Sequence, residues 1–526
     1  METDKQGVLL EVPEQPPAPA APPAEGGRQR RPKLKAIDRD QGVLRMVVVE
    51  ELVGPDHKVR AIWDLTGQFD LSALLGKVKS QEGEAGCSAW NPRLLLSIWL
   101  YAYSEQVTSA RKVAAMMEYE PGLMWLAGIE QVGYHTLSDF RSQHLEELKK
   151  WLAELLGLLS KEGYVQLETV MHDGTKIRTQ GGVDQFRRER TLERETARAW
   201  EMVEELERER EKEETSSARR EAARQRAARE RMERMKQAAA ELQKIRAAKE
   251  SAQECDQVRV CLSEPEARMM KHGDNAIAPS YNVQISTDAE HKIVVGVHLT
   301  QSSSDSGSLP AAMEEVRETA GHYPKQVVVD GGFTNQQSIE QMSQIEVEMY
   351  GSLVEPEVRQ AAAMKAAGID PAFGPAAFLL DQESRTLRCP AGKSLPYVRQ
   401  SRKREDTYHQ YQASGSDCGG CPFQKRCCPK HPEQGRLVSL RQTENAHVAA
   451  FRAKMKTPEA QQIYKQRGAV AEFPNGWIKE KLGIRKFRLR GLRKATTEAF
   501  WGVLTYDVMQ WIRLSWRPQR AALVPA

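Results

Sequence analysis

Two aspartates carry the clearest chemical signal in this chain. One ends the stretch Lys325-Gln-Val-Val-Val-Asp330-Gly-Gly-Phe333, where three valines run into a carboxylate and two glycines follow. A β-branched run of that kind reads as a buried central strand delivering an acid to the edge of a parallel sheet. Gly331 and Gly332 let the backbone turn sharply and leave room for a ligand beside the acid. The other is Asp173 in Val170-Met-His-Asp173-Gly-Thr-Lys, inside or at the end of a second strand and again followed by glycine. Magnesium prefers hard oxygen ligands and takes few protein carboxylates, keeping places for water and phosphate. Two such ions about 3.5–4 Å apart activate the attacking oxygen and steady the leaving one in an in-line phosphoryl displacement. Two acids on adjacent strands, with a third from a later helix, supply that geometry. A lone Asp or Glu is ordinarily a cap or a surface charge, so the pair gains meaning only from the elements around it.

Sulfur forms the second chemical group. The chain has eight cysteines, and Cys389, Cys418, Cys421, Cys427 and Cys428 fall in one region, the last four within Cys418-Gly-Gly-Cys-Pro-Phe-Gln-Lys-Arg-Cys-Cys-Pro. Four thiolates close a tetrahedral zinc site, and Cys-x-x-Cys is its usual first half. Here the second half is irregular, one distant cysteine and an adjacent pair, so free or redox-active thiols stand as the other reading. Any zinc would be structural. Eight cysteines in 526 residues make no disulfide scaffold, and metal or redox use in a reducing compartment fits better than secretion.

The elements that must position these groups follow from composition and periodicity. Length predicts several domains. Net charge is +4 on 76 basic and 72 acidic residues, so the distribution of charge says more than its total. Residues 1–44 read as a disordered tail, rich in Pro, Ala, Gly and Gln, with the basic cluster Arg28-Gln-Arg-Arg-Pro-Lys-Leu-Lys35. Residues 45–160 read as short helices. Asp56-His-Lys-Val-Arg-Ala-Ile-Trp-Asp-Leu is a capped helix, Asn91-Pro-Arg-Leu opens another with proline at its first position, and Thr136 caps a further start. Short helices with a basic face resemble a helix-turn-helix DNA reader, a pattern that other helical interaction domains share.

Residues 161–354 hold the sheet, interrupted at 186–250 by an Arg-, Glu-, Ala- and Gln-rich helical arm that breaks near Thr215-Ser-Ser217. The arm grips DNA or a partner subunit, or is an exposed spacer. Pro279–Asp288 and His291–Thr300 form a hairpin, and a helix, the Asp330 strand, another helix and a last strand near Val347 follow. That order describes a mixed sheet in which the first and fourth strands lie side by side, the ribonuclease-H-like arrangement, bringing Asp173 next to Asp330. Residues 355–450 are a cysteine-containing insertion, 451–515 complete the core, and 516–526 are a tail. Aromatics alternate with Arg and Lys after Tyr464, which suits a phosphate backbone. The Phe500–Ile512 stretch is a core helix, since Asp507 argues against a membrane span. No uncharged apolar run approaches the ~18 residues that cross a bilayer, so a soluble protein is expected.

Over roughly residues 45–515 the chain resembles bacterial insertion-sequence transposases of the DDE type, in the InsH-like N-terminal domain and in the catalytic domain. The resemblance rests on Asp56-His-Lys-Val-Arg-Ala-Ile-Trp-Asp-Leu, His172-Asp-Gly-Thr-Lys, Ser263-Glu-Pro-Glu-Ala-Arg-Met-Met-Lys271, Tyr281-Asn-Val-Gln, Val329-Asp-Gly-Gly-Phe and a closing Tyr/Arg/Glu/Lys signature at Tyr464, Arg467, Glu472 and Lys479. It implies that Asp173, Asp330 and Glu472 bind two magnesium ions, while Tyr464, Arg467 and Lys479 handle DNA phosphates. It also implies element-end and target DNA as partners, a homodimer on DNA, and a cytoplasmic, nucleoid-associated place of action. The activity implied is DNA strand cleavage and strand transfer; a DNA-binding derivative without activity and a nuclease without strand transfer are the alternatives. Pro474 and Gly476 disfavour a helix interior, so Glu472 is expected at a kink or just before a helix start, with Glu480 as the fallback acid.

Overall fold

In a computed structural model, residues 46–78, 88–210, 218–249, 251–354, 356–381, 383–403, 406–441 and 445–523 are described. The tail expected over residues 1–44, with its basic cluster, and the break expected at Thr215–Ser217 lie outside them.

The chain is mixed α/β. Its strands are β1 (Thr169–Arg178), the short pair β2 (Phe186–Arg187) and β3 (Val260–Cys261), then β4 (Arg268–Lys271), β5 (Ile277–Asp288), β6 (Val294–Thr300), β7 (Gln326–Val328) and β8 (Glu348–Tyr350). In the central sheet the order is β4-β5-β1-β7-β8, with β6 also paired to β5. β1 runs antiparallel to β5, from Val170↔Asp288 to Arg178↔Ser280, and parallel to β7, from Thr169↔Gln326 to Met171↔Val328. The valine run behaves as its composition requires. Val327 and Val329 join the main core and Val328 joins a second one beneath the other face, so this short strand is buried on both sides. Ladder pairing stops at Val328, and Val329 N–H still bonds the Tyr350 carbonyl at 2.9 Å, which leaves Asp330 just past the strand end.

The helices of residues 58–161 and the sheet share one apolar core. The Leu492–Trp511 helix runs through it against the Pro92–Ser104 and Leu145–Lys161 helices and β6. Trp501 stacks on Tyr103 at 6.0 Å and lies 6.4 Å from Trp99. Buried Asp507 accepts the Val294 N–H at 2.9 Å, and burial holds its carboxyl well above the usual range. Two helix starts differ from the sequence reading. His57, not Asp56, is the N-cap of the Lys58–Thr66 helix, its Nδ1 accepting the Val59 N–H. The Tyr134–Gln143 helix starts from Gly133, so Thr136 lies inside it. In both places a competing residue, one position away in the first and three in the second, took the capping conformation.

The Glu189–Arg210 and Ala218–Ala247 helices pack together along Leu192, Ala199, Met235, Ala238 and Leu242, with Glu195–Arg231 and Glu207–Arg229 pairs outside that seam. A second, antiparallel sheet consists of β9 (Leu379–Asp381), β10 (Thr386–Arg388), β11 (Ser394–Lys403), β12 (Asp406–Gln412) and β13 (Leu437–Arg441). Among the described residues no helix is long and apolar enough to cross a membrane.

Candidate active site

The parallel register of β1 and β7 decides where the acids lie. Met171 pairs with Val328, so Asp173 and Asp330 fall at matching positions two residues further on. Met171 and Val328 belong to the second core, on the face covered by the Arg467–Glu480 helix. Side chains two residues apart share a face, so both acids sit at the rim of that face, where β7 has ended and β1 continues. Asp330 is fixed by its own turn. Its Oδ1 accepts the Gly332 N–H at 2.7 Å, and Thr334 Oγ1 donates to its carbonyl at 2.9 Å. A Cβ at Gly332 would stand 3.0 Å from Asp330 Oδ1, so the second glycine keeps this turn tight.

Asp173 is mostly buried, with 18% of its side chain exposed. Burial pushes its carboxyl up to about 6; Arg467, 3.9 Å from Oδ1, opposes the rise, and the charges of Asp330 and Asp305 add to it. Oδ2 accepts the Asn475 Nδ2–H at 3.0 Å. One turn on, Lys479 Nζ donates to Thr175 Oγ1, and burial lowers the lysine's pKa while Asp173 opposes that. The match is geometric: four helical residues advance about 6 Å and two strand residues about 6.6 Å. Asn475 and Lys479 therefore meet Asp173 and Thr175 in register.

The helix runs from Arg467 to Glu480 with Pro474 inside it, so Glu472 lies within a helix and not just before a helix start. Pro474 is buried against the sheet side together with Val470, Ala471, Asn475 and Ile478, and that packing outweighs the one intrahelical bond the ring removes. Glu472 is exposed, one turn before Asn475, and its Oε1 lies back along the helix, 3.9 Å from where a Gly468 Cβ would be. Glu480 turns away to Arg485, at 2.5 and 2.6 Å. Arg467 reaches Asp173, and Tyr464 is half-buried beside the second core, lining a cavity of about 210 Å³ with Ser352, Arg452 and Lys456. The structure thus gathers Asp173, Asp330, Arg467 and Lys479 and leaves Glu472 a turn away. Among the described residues no three His, Cys, Asp or Glu side chains close to ion-sharing distance.

Two neighbours went unread in the sequence. Asn475 looks like any polar residue beside a proline. Asp305, in a serine-rich loop before the Leu309–Ala320 helix, looks like a cap, yet its Oδ1 accepts from Asn282 Nδ2 at 2.7 Å and Gln284 Nε2 at 3.1 Å on β5. Gln284 Oε1 also meets His172 Nε2 at 3.0 Å, and His172 Nδ1 meets Ser286 Oγ at 2.9 Å. His172 is fully buried with its pKa lowered to about 3, chiefly by burial, so the ring is neutral and ties β1 to β5. The donor set suits a hard divalent cation in chemistry: the charges of Asp330 and Asp305 raise the proton affinity of Asp173, and buried Asn475 Oδ1 beside it has no donor among the described residues.

The five clustered thiols are all free and line a cavity of about 30 Å³ beneath the second sheet. Cys389 Sγ accepts the Lys393 N–H and Cys418 Sγ the Arg436 N–H, each at 3.3 Å. Burial, with the neighbouring thiols Cys418, Cys428 and Cys389, pushes the Cys427 thiol up to about 11.

Residues 388–511 match the family model described as a transposase DDE domain, and residues 47–143 the one described as a transposase domain (DUF772). The first span holds Tyr464, Arg467, Glu472 and Lys479 but neither Asp173 nor Asp330. No curated protein sequence matches the chain. Among solved structures the chain is similar to a piggyBac transposase synaptic complex with hairpin DNA, at 10% identity over 91% of this chain and 85% of that one, with a TM-score of 0.23.

Proposed function

We infer that this chain, a DNA transposase of the insertion-sequence DDE kind, cuts a phosphodiester at the element's ends and joins the freed 3′-hydroxyl to target DNA at the Asp173–Asp330 rim. The observation that carries the reading is the parallel β1–β7 register, which sets the two acids on one face past the end of β7. The strand order, with antiparallel β5 and β6 on one side of β1 and parallel β7 and β8 on the other, supports a ribonuclease-H-like core.

In this reading Asp173, Asp330 and Glu472 hold two magnesium ions. When bound, these supply Lewis-acid stabilisation of the attacking and leaving oxygens. The chain's own residues do the rest. Arg467 holds charge beside Asp173 until a phosphate offers a better partner, and Lys479, anchored on Thr175, presents its ammonium along the same edge. Tyr464 lines the neighbouring cavity with Ser352, Arg452 and Lys456, where a DNA phosphate would meet it. Glu472 joins by a change of side-chain rotamer, since its helix already packs on β1. Water, then the 3′-hydroxyl, is the nucleophile, so no covalent enzyme–DNA intermediate is required.

The helical domain expected over residues 45–160 is proposed to read the element's ends, a homodimer to pair them, and the cytoplasm, at the nucleoid, to be where this occurs. The thiols around Cys389, Cys418, Cys421 and Cys427 are proposed to hold a structural zinc, an assignment favoured by the backbone N–H donors on two sulfurs. The test is magnesium-dependent cleavage and joining of end-sequence DNA by the wild type and by Asp330→Asn. Loss of both reactions in the variant is expected. Undiminished cleavage by Asp330→Asn defeats the reading; cleavage without joining favours a nuclease, and binding alone an inactive derivative.

A further inference from the structure

We propose that Asn475 is a positioning residue for the cleavage reaction: it sets the carboxylate of Asp173 and holds an amide oxygen ready for a hydroxyl bound beside it. The inference rests on the phosphoryl-transfer reading above.

The inner face of the Arg467–Glu480 helix is Val470, Ala471, Pro474, Asn475 and Ile478. Four of these pack as apolar residues against a sheet, and Asn475 is the exception. At 8% exposure it is a buried polar side chain on a packed face, a placement that a satisfied hydrogen-bond network ordinarily accompanies. Only half of that condition is met. Nδ2 donates to Asp173 Oδ2 at 3.0 Å, while Oδ1 is buried with no partner among the described residues.

The donor half fixes Asp173. That carboxylate is on a strand, its Oδ1 faces Arg467, and the Asn475 bond holds Oδ2, so the rotamer is set from two sides of one helix. A carboxylate clamped by an amide stays in place when Arg467 leaves for a phosphate. The acceptor half is left without a partner beside the same contact. A buried amide oxygen beside an acid, lacking a donor, suits the O–H of a water or sugar hydroxyl arriving with cation and DNA. Magnesium keeps several such waters when few carboxylates bind it. A leucine or alanine at this position would pack as well as the neighbours do, so packing does not account for the amide.

Glue between helix and strand is the alternative, and it predicts a different result. Mn²⁺ binding to the full chain, without DNA, is measured by calorimetric titration for the wild type, Asn475→Ala, Asn475→Leu, Val470→Ala and Asp173→Asn. Magnesium dependence of end-DNA cleavage is measured in parallel. Residues that orient metal ligands typically change affinity or activity by about 10–100-fold, and that weakening is expected for both Asn475 variants, with DNA binding and melting temperature retained in Asn475→Leu. Val470→Ala, which loses packing on the same face, is expected to melt earlier with Mn²⁺ affinity unchanged. Wild-type Mn²⁺ affinity and cleavage in both Asn475 variants overturn the inference, as does equal weakening in Val470→Ala. If Asp173→Asn also binds and cuts normally, or the wild type binds no Mn²⁺, the phosphoryl-transfer reading itself falls. If Asp173→Asn fails while the Asn475 variants do not, only this inference falls.

Discussion

Replacing Asp173 by asparagine in metal-free protein is expected to make the fold more stable near neutral pH. The acid titrates at about 6 in the folded chain against an ordinary 3.8, chiefly because it is buried. The folded state therefore holds this proton more tightly than the unfolded one does. Stability gained from the bound proton grows as pH falls from above 6 toward 4, and the full cost of the buried charge stands above pH 6. At about 1.4 kcal/mol for each pH unit by which a pKa moves, that cost is about 3 kcal/mol as an upper figure. Asparagine keeps the shape, and its Oδ1 can accept from Asn475. The contact given up with Arg467 is long, at 3.9 Å, and a pair at that distance is worth under ~1 kcal/mol. Scaled to this chain length, 1 kcal/mol moves the melting temperature by about 1–2 °C. Thermal denaturation by circular dichroism in EDTA should thus put Asp173→Asn about 2–4 °C above wild type near neutral pH, with the gap closing at about pH 4.5. Added magnesium should raise the wild type alone, because only a ligand that prefers the folded state stabilises it. A variant less stable than wild type in EDTA at neutral pH would refute the account of a buried carboxylate whose charge Arg467 only partly offsets.

Glu472→Gln should leave melting unchanged, since the side chain is exposed, and abolish end-DNA cleavage; Glu480→Gln should retain cleavage. The reverse pattern moves the third acid to Glu480. Gly174→Ala should lower the urea midpoint by about 1–3 kcal/mol of stability. Its Cβ would meet Asp305 Oδ1 at 2.4 Å and Gln284 Nε2 at 2.7 Å, and both atoms are pinned by Asn282, His172 and Ser308. Gly157→Ala, in an exposed helical position with nothing within 4 Å, should instead gain up to about 1 kcal/mol, and equal losses at both glycines would contradict the steric argument. Purified protein should carry about one zinc per chain by elemental analysis, and Cys418→Ser should lose it and melt earlier; zinc-free protein of unchanged stability falsifies the thiolate site.

The parts of this fold that sequence disclosed are those where local chemistry and tertiary environment agree. Val327–Val329 could only be a strand buried on both faces, and the glycines after it had to turn. The Pro279–Thr300 hairpin likewise follows from two apolar runs around a polar turn. What stayed hidden depends on contacts hundreds of residues apart. Asp305 looks like a cap because serines and a helix follow it, and only the amides of Asn282 and Gln284 make it part of the acid neighbourhood. Pro474 argues for a helix break by local propensity, and the surrounding apolar face overrides it. The His57 and Gly133 caps show the same limit at smaller scale, because several adjacent residues could each have ended the chain's turn.

The unbroken helix changes how the third acid must be understood. Had the helix begun only after Pro474, bringing Glu472 to the strand acids would require backbone movement. With the helix continuous, Asn475 and Lys479 already fix its height and rotation against Asp173 and Thr175. Glu472 then sits three residues earlier, about 4.5 Å along the axis, on the turn that also carries Gly468. In the proposed reading a side-chain rotation would bring it toward the acids, where Arg467 now stands beside Asp173. Arg467 leaving for a phosphate and Glu472 turning inward would be two halves of one exchange, positive charge removed as a carboxylate arrives. The buried clamp from Asn475 is what lets Asp173 keep its place while that exchange occurs.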